Sequence, residues 1–217
     1  MSADPMITDS LGPVSFGLFI AAVLGTLALG AAYVLALLLK KGDWARWILR
    51  VELAGLALYL VLFLFASLTS RTRELAVGDE KHICEVDCHL AYAVTGVRSA
   101  DLWNGKTAQG TFHIVSVRIR FDSNTIARWR PRDLSLTPNG RRVALLDEKG
   151  RRYPAPVEAL QRRLLPGEAY TTDFVFDVPA DAGRLRLMLA SGDWPTRLMI
   201  AHENAFLHGK VLFRLSA

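Results

Sequence analysis

The chain has 217 residues, 51% of them hydrophobic, and a net charge of +5, which is room for one ordinary domain or for a smaller one joined to membrane segments. Its basic residues are dispersed, often as Arg pairs, rather than gathered into a block. That pattern sets nucleic acid aside and fits a solvated surface or one facing anionic headgroups. Residues 1–70 balance four basic side chains (Lys40, Lys41, Arg46, Arg50) against four acidic ones (Asp4, Asp9, Asp43, Glu52), so the whole excess belongs to residues 71–217.

Residues 1–12 read as a polar tail with no Lys or Arg. The next stretch, Pro13 to Leu39, carries no charge, and neither does Leu53 to Ser70. A hydrocarbon core of about 30 Å takes roughly 20 apolar residues in a helix, so both runs predict membrane-spanning helices. A cleaved signal peptide needs a basic start and a much shorter apolar core. Residues 13–70 are therefore expected to form a two-helix transmembrane hairpin. Its connection, residues 40–50 (KKGDWARWILR), holds all four basic residues of the hairpin, which places it in the cytoplasm against the weaker opposing signal of Arg71 and Arg73. The tail and residues 71–217 then lie outside, with Trp44 and Trp47 at headgroup level.

Along the first helix Gly17, Ala21, Gly25, Ala28, Ala32 and Ala36 recur at spacings of four and three. They line one face with small residues, the kind that lets membrane helices approach closely. The second helix offers Leu56, Tyr59, Leu60, Phe63 and Phe65 to lipid or to a partner. Neither span holds an ionisable residue, which argues against an ion or proton path.

From Leu75 the period shortens. Thr111 to Phe121 alternates Phe112, Ile114, Val117, Ile119 and Phe121 with His113, Ser116, Arg118 and Arg120, slipping once at Val115 and Ser116. Asp173 to Pro179, Arg184 to Leu189 and Lys210 to Leu215 read as further strands, and residues 138–140, 148–150 and 165–167 as turns between them. A short helix is expected at 156–163. Short strands punctuated in this way predict a β-sandwich over residues 71–217.

Gly110-Thr-Phe before a β run, Leu134-Ser-Leu, Asp147-Glu-Lys-Gly-Arg-Arg-Tyr, Leu164-Leu-Pro-Gly-Glu and Phe174-Val-Phe-Asp-Val-Pro together resemble a bacterial extracellular immunoglobulin-like domain family of unknown function. That family is related in fold to a secreted mycobacterial immunoprotective antigen, and the likeness covers about residues 76–190. It implies an all-β immunoglobulin-like sandwich, here preceded by an α-helical transmembrane hairpin. It also implies anchorage in the bacterial inner membrane with a periplasmic or extracellular domain, and it brings no catalytic residues. Its members are tethered by a lipidated cysteine or a single helix, so a two-helix anchor departs from the pattern.

The densest chemistry lies at Lys81 to His89 (KHICEVDCH), which holds both cysteines. Outside the cytoplasm, Cys84 and Cys88 are candidates for a disulfide. Four residues of straight strand cover about 13 Å, beyond bridging distance, so that bond requires a tight turn between them. His82, Cys84, Cys88 and His89 are equally a donor set suited to copper, and a thiol redox pair is a third reading, with one residue more than its usual spacing. His202 and His208 near Glu203 form a second polar cluster, and Asp101, Asp133 and Asp193 sit among turn residues. No phosphate loop, nucleophile elbow or zinc-protease motif occurs. The expected function is a non-catalytic accessory subunit or binding module without a cofactor, its partners being the bilayer and other membrane protein subunits. Copper handling through the four-residue set is the alternative. Gly17, Ala21, Gly25, Ala28, Trp103, Trp129 and Trp194 are the expected interface residues.

Overall fold

The computed structural model describes residues 6–7, 12–83, 89–126, 134–138, 141–155, 160–192 and 194–215. Two helices, α1 (Gly12–Leu38) and α2 (Gly42–Thr69), come first, and each is long and apolar enough to cross a membrane. The connection is much shorter than the eleven residues expected. Only Leu39 to Lys41 separate the helices, and α2 takes in Asp43 to Arg50. These residues are mostly good helix formers, and Asp43 pairs with Arg46 one turn on at 2.5 Å. Lys40 stands in the left-handed region (φ 57°) and its N–H donates to the Leu37 carbonyl, while Lys41 N–H donates to that of Ala36. This bond pair closes α1 and reverses the chain within one turn. Trp44 and Trp47 are well exposed on the first turns of α2.

Among the described residues ten strands make two five-stranded sheets. The first has the order β1 (Met6–Ile7), β3 (Glu80–His82), β4 (Leu90–Trp103), β5 (Lys106–Phe121) and β8 (Ala169–Val178). The second has β2 (Arg73–Leu75), β10 (Val211–Arg214), β9 (Arg186–Ser191), β6 (Arg141–Leu146) and β7 (Arg152–Pro154). One buried cluster, with Tyr92, Val117, Phe121, Leu145, Phe176, Leu187 and Phe213 among its members, draws side chains from both sheets. The architecture is thus two apolar helices followed by a β-sandwich. Nearly all neighbours run antiparallel, except that β1 lies parallel to β3 and β2 parallel to β10. The residues read as a tail therefore supply a strand, and the segment before α1 and the segment after α2 join the same domain.

Alternation in β5 is cleaner than the sequence pattern suggests. Val115, Val117, Ile119 and Phe121 face the core without a break, while Ile114 lies on the opposite face between Arg98 and Val175 in the pairing register. The irregularity belongs to β4, where the register shifts between Val94 and Gly96 and leaves Thr95 over. Gly150 and Gly167 occupy the positive-φ places of the expected turns at 148–150 and 165–167 (φ 77° and 86°). Of the helix expected at 156–163, residues 156–159 lie outside the described residues and 161–163 have no regular structure. Leu160 and Leu164 are core side chains instead.

Where β5 passes the end of β8, Gly110 N–H donates to the Asp177 carboxylate at 3.0 Å. A Cβ on Gly110 would come within 2.1 Å of the Val178 carbonyl oxygen and 2.8 Å of Pro179 Cα. Backbone cannot yield as a flexible side chain can, so Gly110→Ala should cost about 2–4 kcal/mol. A thermal melt of the detergent-solubilised chain should show this as a fall of roughly 5–15 °C.

Candidate interaction surface

The Lys81–His89 region is structural at its start. Glu80 on β3 faces Arg118 and Arg120 of β5, accepting hydrogen bonds from Arg118 at 2.8 Å and from Arg120 at 2.6 and 3.1 Å. The Arg120 hydrogen bond holds the Glu80 carboxyl down at about 2, against the opposing effect of burial. The next side chain, Lys81, is fully buried. Its ammonium donates to the Leu189 carbonyl of β9 (2.7 Å), the Val211 carbonyl of β10 (3.0 Å) and the Glu203 carboxylate (2.5 Å). Lys81 thereby ties the first sheet to the second, and both to the segment that carries Glu203.

His82 and His89 are both buried. His82 Nε2 stands 3.9 Å from Asp122 Oδ2, and His89 Nδ1 stands 2.6 Å from the Thr125 hydroxyl, its ring stacked on Phe121. Cys84 and Cys88 lie outside the described residues, as do Trp129, Asp133 and Asp193. Among the described residues no group of three His, Cys, Asp or Glu is placed to hold a metal ion. Asp101, read as a turn residue, lies within β4 beside its second register shift.

The second polar cluster turns inward. Glu203 meets Lys81 and also accepts from Val211 N–H at 3.2 Å. His202 Nδ1 accepts from Asn204 N–H at 3.0 Å, and the Asn204 amide donates to the Ser191 carbonyl and the Thr196 hydroxyl. These buried side chains shape residues 194–210 into a folded lobe. The lobe lies along the last three turns of α2: Tyr59 hydroxyl donates to the Leu198 carbonyl at 2.8 Å, and Gly209 N–H to the Ser70 hydroxyl at 2.7 Å. A Cβ on Gly209 would strike the Arg71 backbone at 2.4 Å, so the lobe closes on the helix exit as tightly as glycine permits. His208 Nδ1 faces the Gly209 carbonyl.

Two of the expected tryptophans stand at distinct places. Trp103 ends β4 at the tip of the long β4–β5 hairpin, with the Arg98 guanidinium 5.0 Å from its ring centre. Beyond Gln109, whose N–H and that of Gly110 bond Asp177 of β8, the hairpin extends past β8 and exposes Leu102. Asn104 and Gly105 turn it, both at positive φ (48° and 76°), the two-residue turn that Asn-Gly favours. That dipeptide was the sequence signal for this projection, and periodicity alone passes over it. Trp194 is on the lobe, 59% exposed, edge-on to Phe206 and beneath the Arg197 guanidinium.

No family model matches the chain, and no curated protein matches it in sequence. Among solved structures it is similar to the secreted protein MPT63 of Mycobacterium tuberculosis (14% identity over 67% of this chain and 99% of that one, TM-score 0.45). It is also similar to the yjhA protein of Bacillus subtilis (16% identity, 65% and 98%, TM-score 0.36) and to a conserved hypothetical protein of Bacillus anthracis (14% identity, 50% and 89%, TM-score 0.35). These are distant likenesses of fold, and the expected relation of residues 76–190 is met at that level alone.

Lys81→Met leaves Glu203 buried and uncompensated, which should cost about 3–5 kcal/mol. Adding Glu203→Gln removes the orphaned charge and keeps an acceptor for Val211 N–H, so the double variant should recover at least half of the loss in equilibrium unfolding. For Glu80 the folded value near 2 lies below the unfolded one near 4.5, so its contribution is whole above about pH 4.5 and fades as pH falls toward 2. Melting temperature followed from pH 6 to pH 2.5 should drop less steeply in Glu80→Gln than in the parent chain.

Proposed function

We propose that the protein is a membrane-anchored, non-catalytic accessory subunit or binding module of a larger membrane protein complex. In this reading α1 and α2 cross the bacterial inner membrane as a hairpin, the Lys40–Lys41 turn and the Arg46 and Arg50 side chains face the cytoplasm, and the β-sandwich stands on the other side. The charge distribution supports that orientation, and the pairing of β1 with β3 supports the hairpin, since it keeps both outer ends on one side.

The observation that carries the subunit reading is the unfilled face of α1. Near the turn α1 packs on α2 through Leu29, Ala32, Tyr33 and Ala36 against Ala45 and Ile48, and toward the far end Ser15 of α1 and Phe63 and Ser67 of α2 are buried. Between them, Gly17, Ala21, Gly25 and Ala28 are exposed, and a Cβ on Gly17 or Gly25 would meet nothing within 4 Å. Lipid tails are as apolar as leucine, so bulk hydrophobicity gives such a face no reason to be small; close approach by another helix does. Outside the membrane the projecting β4–β5 hairpin supports the same reading. Its β4 edge is covered by β3 only at residues 91–93, so beyond Val94 it offers backbone groups and Trp103 to a docking partner.

Co-purification from mild detergent should recover a partner in fixed proportion to the wild-type chain. Gly25→Leu should weaken that recovery by roughly tenfold, about 1.4 kcal/mol, while insertion is kept, since leucine is the more apolar residue. Gly25→Ala should lie between. A wild-type chain that runs alone in every mild detergent, unaltered by Gly25→Leu, overturns the reading.

A further inference from the structure

Beside the lobe lies a cleft of about 340 Å³ whose lining includes Arg142, Arg152, Arg197 and Lys210, together with Phe206 and Leu207. Arg142 and Arg152 come from β6 and β7 at one end of the second sheet, Arg197 and Lys210 from the two ends of the lobe. None of the four has a carboxylate within salt-bridge distance among the described residues. Arg142 directs its guanidinium to the Ser191 carbonyl at 3.2 Å, and Lys210 donates to the carbonyls of Glu203 and Ala205. Burial, and after it the charges of Arg197 and Arg152, draws the Arg142 guanidinium below the usual arginine range. Lys210 is likewise pushed down by burial, with Arg142 and Arg152 acting the same way against the pull of Glu203. Four cations held around one cleft repel one another, and no acidic side chain among the described residues pairs with them.

The rim of this cleft is apolar and outward. Trp194, Leu198, Phe206 and Leu207 are 59%, 40%, 45% and 70% exposed. Leu207 is held at φ +64°, a conformation unfavourable for a branched side chain and adopted here where the side chain points to the exterior. The rim also has a fixed level. Leu198 bonds to Tyr59, ten residues before the end of α2, so the lobe descends about 15 Å alongside that helix. With 28 residues α2 is about 42 Å long, close to the thickness of a bilayer with its headgroups. The lobe therefore overlaps the headgroup layer and the upper acyl region of the outer leaflet, the depth at which interfacial apolar side chains settle.

We propose that the cleft of Arg142, Arg152, Arg197 and Lys210 binds the phosphate of an anionic phospholipid of that leaflet, with Trp194, Leu198, Phe206 and Leu207 set among its acyl chains. The guanidinium groups match phosphate oxygens in geometry as well as charge, and the bound anion removes the mutual repulsion of the cations. The proposal rests on the hairpin spanning the membrane, as proposed above, and adds a lipid to the partners of the outer domain.

The test uses the full chain in a neutral detergent, titrated with short-chain phosphatidylglycerol, short-chain phosphatidylcholine and inorganic phosphate, and read by Trp fluorescence and thermal shift. Phosphatidylglycerol should bind saturably, at one per chain, at least tenfold more tightly than either of the others. Arg142→Gln with Arg197→Gln should weaken it at least tenfold. Arg152→Gln, on an exposed side chain that leaves the fold undisturbed, should weaken it severalfold on its own. Equal binding of the two lipids, or no change in these variants, overturns the proposal. Inorganic phosphate binding as tightly as phosphatidylglycerol assigns the site to a free anion and overturns the lipid. Alkaline carbonate extraction separates the two readings: release of the chain from membranes without detergent refutes the spanning hairpin itself, whereas a retained chain with an indifferent cleft refutes the lipid site alone.

Discussion

The placement of every exposed feature in this molecule depends on one buried ion pair. Lys81 enters from the short strand β3, crosses the interior and meets Glu203 in the lobe, with the carbonyls of Leu189 and Val211 as its other acceptors. Desolvating an ammonium and a carboxylate is costly, and such pairs hold only where further hydrogen bonds satisfy the remaining valences. Here those acceptors are backbone groups of two strands in the opposite sheet. The cost is thus converted into register: the lobe cannot slide along β9 and β10 without leaving both charges stranded. A pair of leucines in their place could fill the volume without specifying the position.

From that fixed lobe the geometry runs outward to the helices. Residues 70–72 are all that join α2 to β2, and β2 enters the sheet at once beside β10. The Tyr59–Leu198 and Ser70–Gly209 bonds fasten the lobe to the same helix from the side. The sandwich is accordingly set on its anchor by a short covalent link and a packed seam rather than carried on a flexible stalk. A module so mounted holds the β4–β5 projection and the basic cleft at defined heights relative to α2, as the proposed membrane setting requires.

The sequence made the anchor and the sandwich legible because each rests on a pattern that local physics enforces. An uncharged run of membrane length and a two-residue alternation are visible without knowledge of partners. The extent of the connection was less legible: charge marked residues 40–50 as a loop, yet Ala45, Ile48 and Leu49 are helix-compatible and Ala45 and Ile48 pack on α1, so charge pattern and backbone conformation part company there. The apparent slip at Val115 was misleading because Ile114 is apolar yet buried on the face opposite the core, whereas the actual irregularity lies in β4, where pairing, a non-local fact, reveals it. Lys81 and Glu203 are 122 residues apart; each looks like an ordinary surface charge, and the pair exists only after the sheets have closed. The cations of the cleft were dispersed along the chain in the same way. They counted in the sequence only as a diffuse positive excess, which folding then concentrates from β6, β7 and the lobe.

That concentration is the basis on which a domain with modest net charge is proposed to meet a membrane in a directed way. Several basic side chains elsewhere on the sandwich are answered by carboxylates: Arg118 and Arg120 by Glu80, Lys149 and Arg151 by Asp181, Arg184 by Glu74. Paired charges at an exposed surface contribute little to stability and cancel in the far field. The four cations of the cleft have no such partner among the described residues, and they lie on the flank that also carries the exposed Trp194, Phe206 and Leu207. An apolar edge alone would favour aggregation, and a basic patch alone would favour any anion. Set together beside the last turns of α2, they match a surface that is anionic and apolar within a few ångströms, which is the chemistry of the phospholipid leaflet proposed as the ligand.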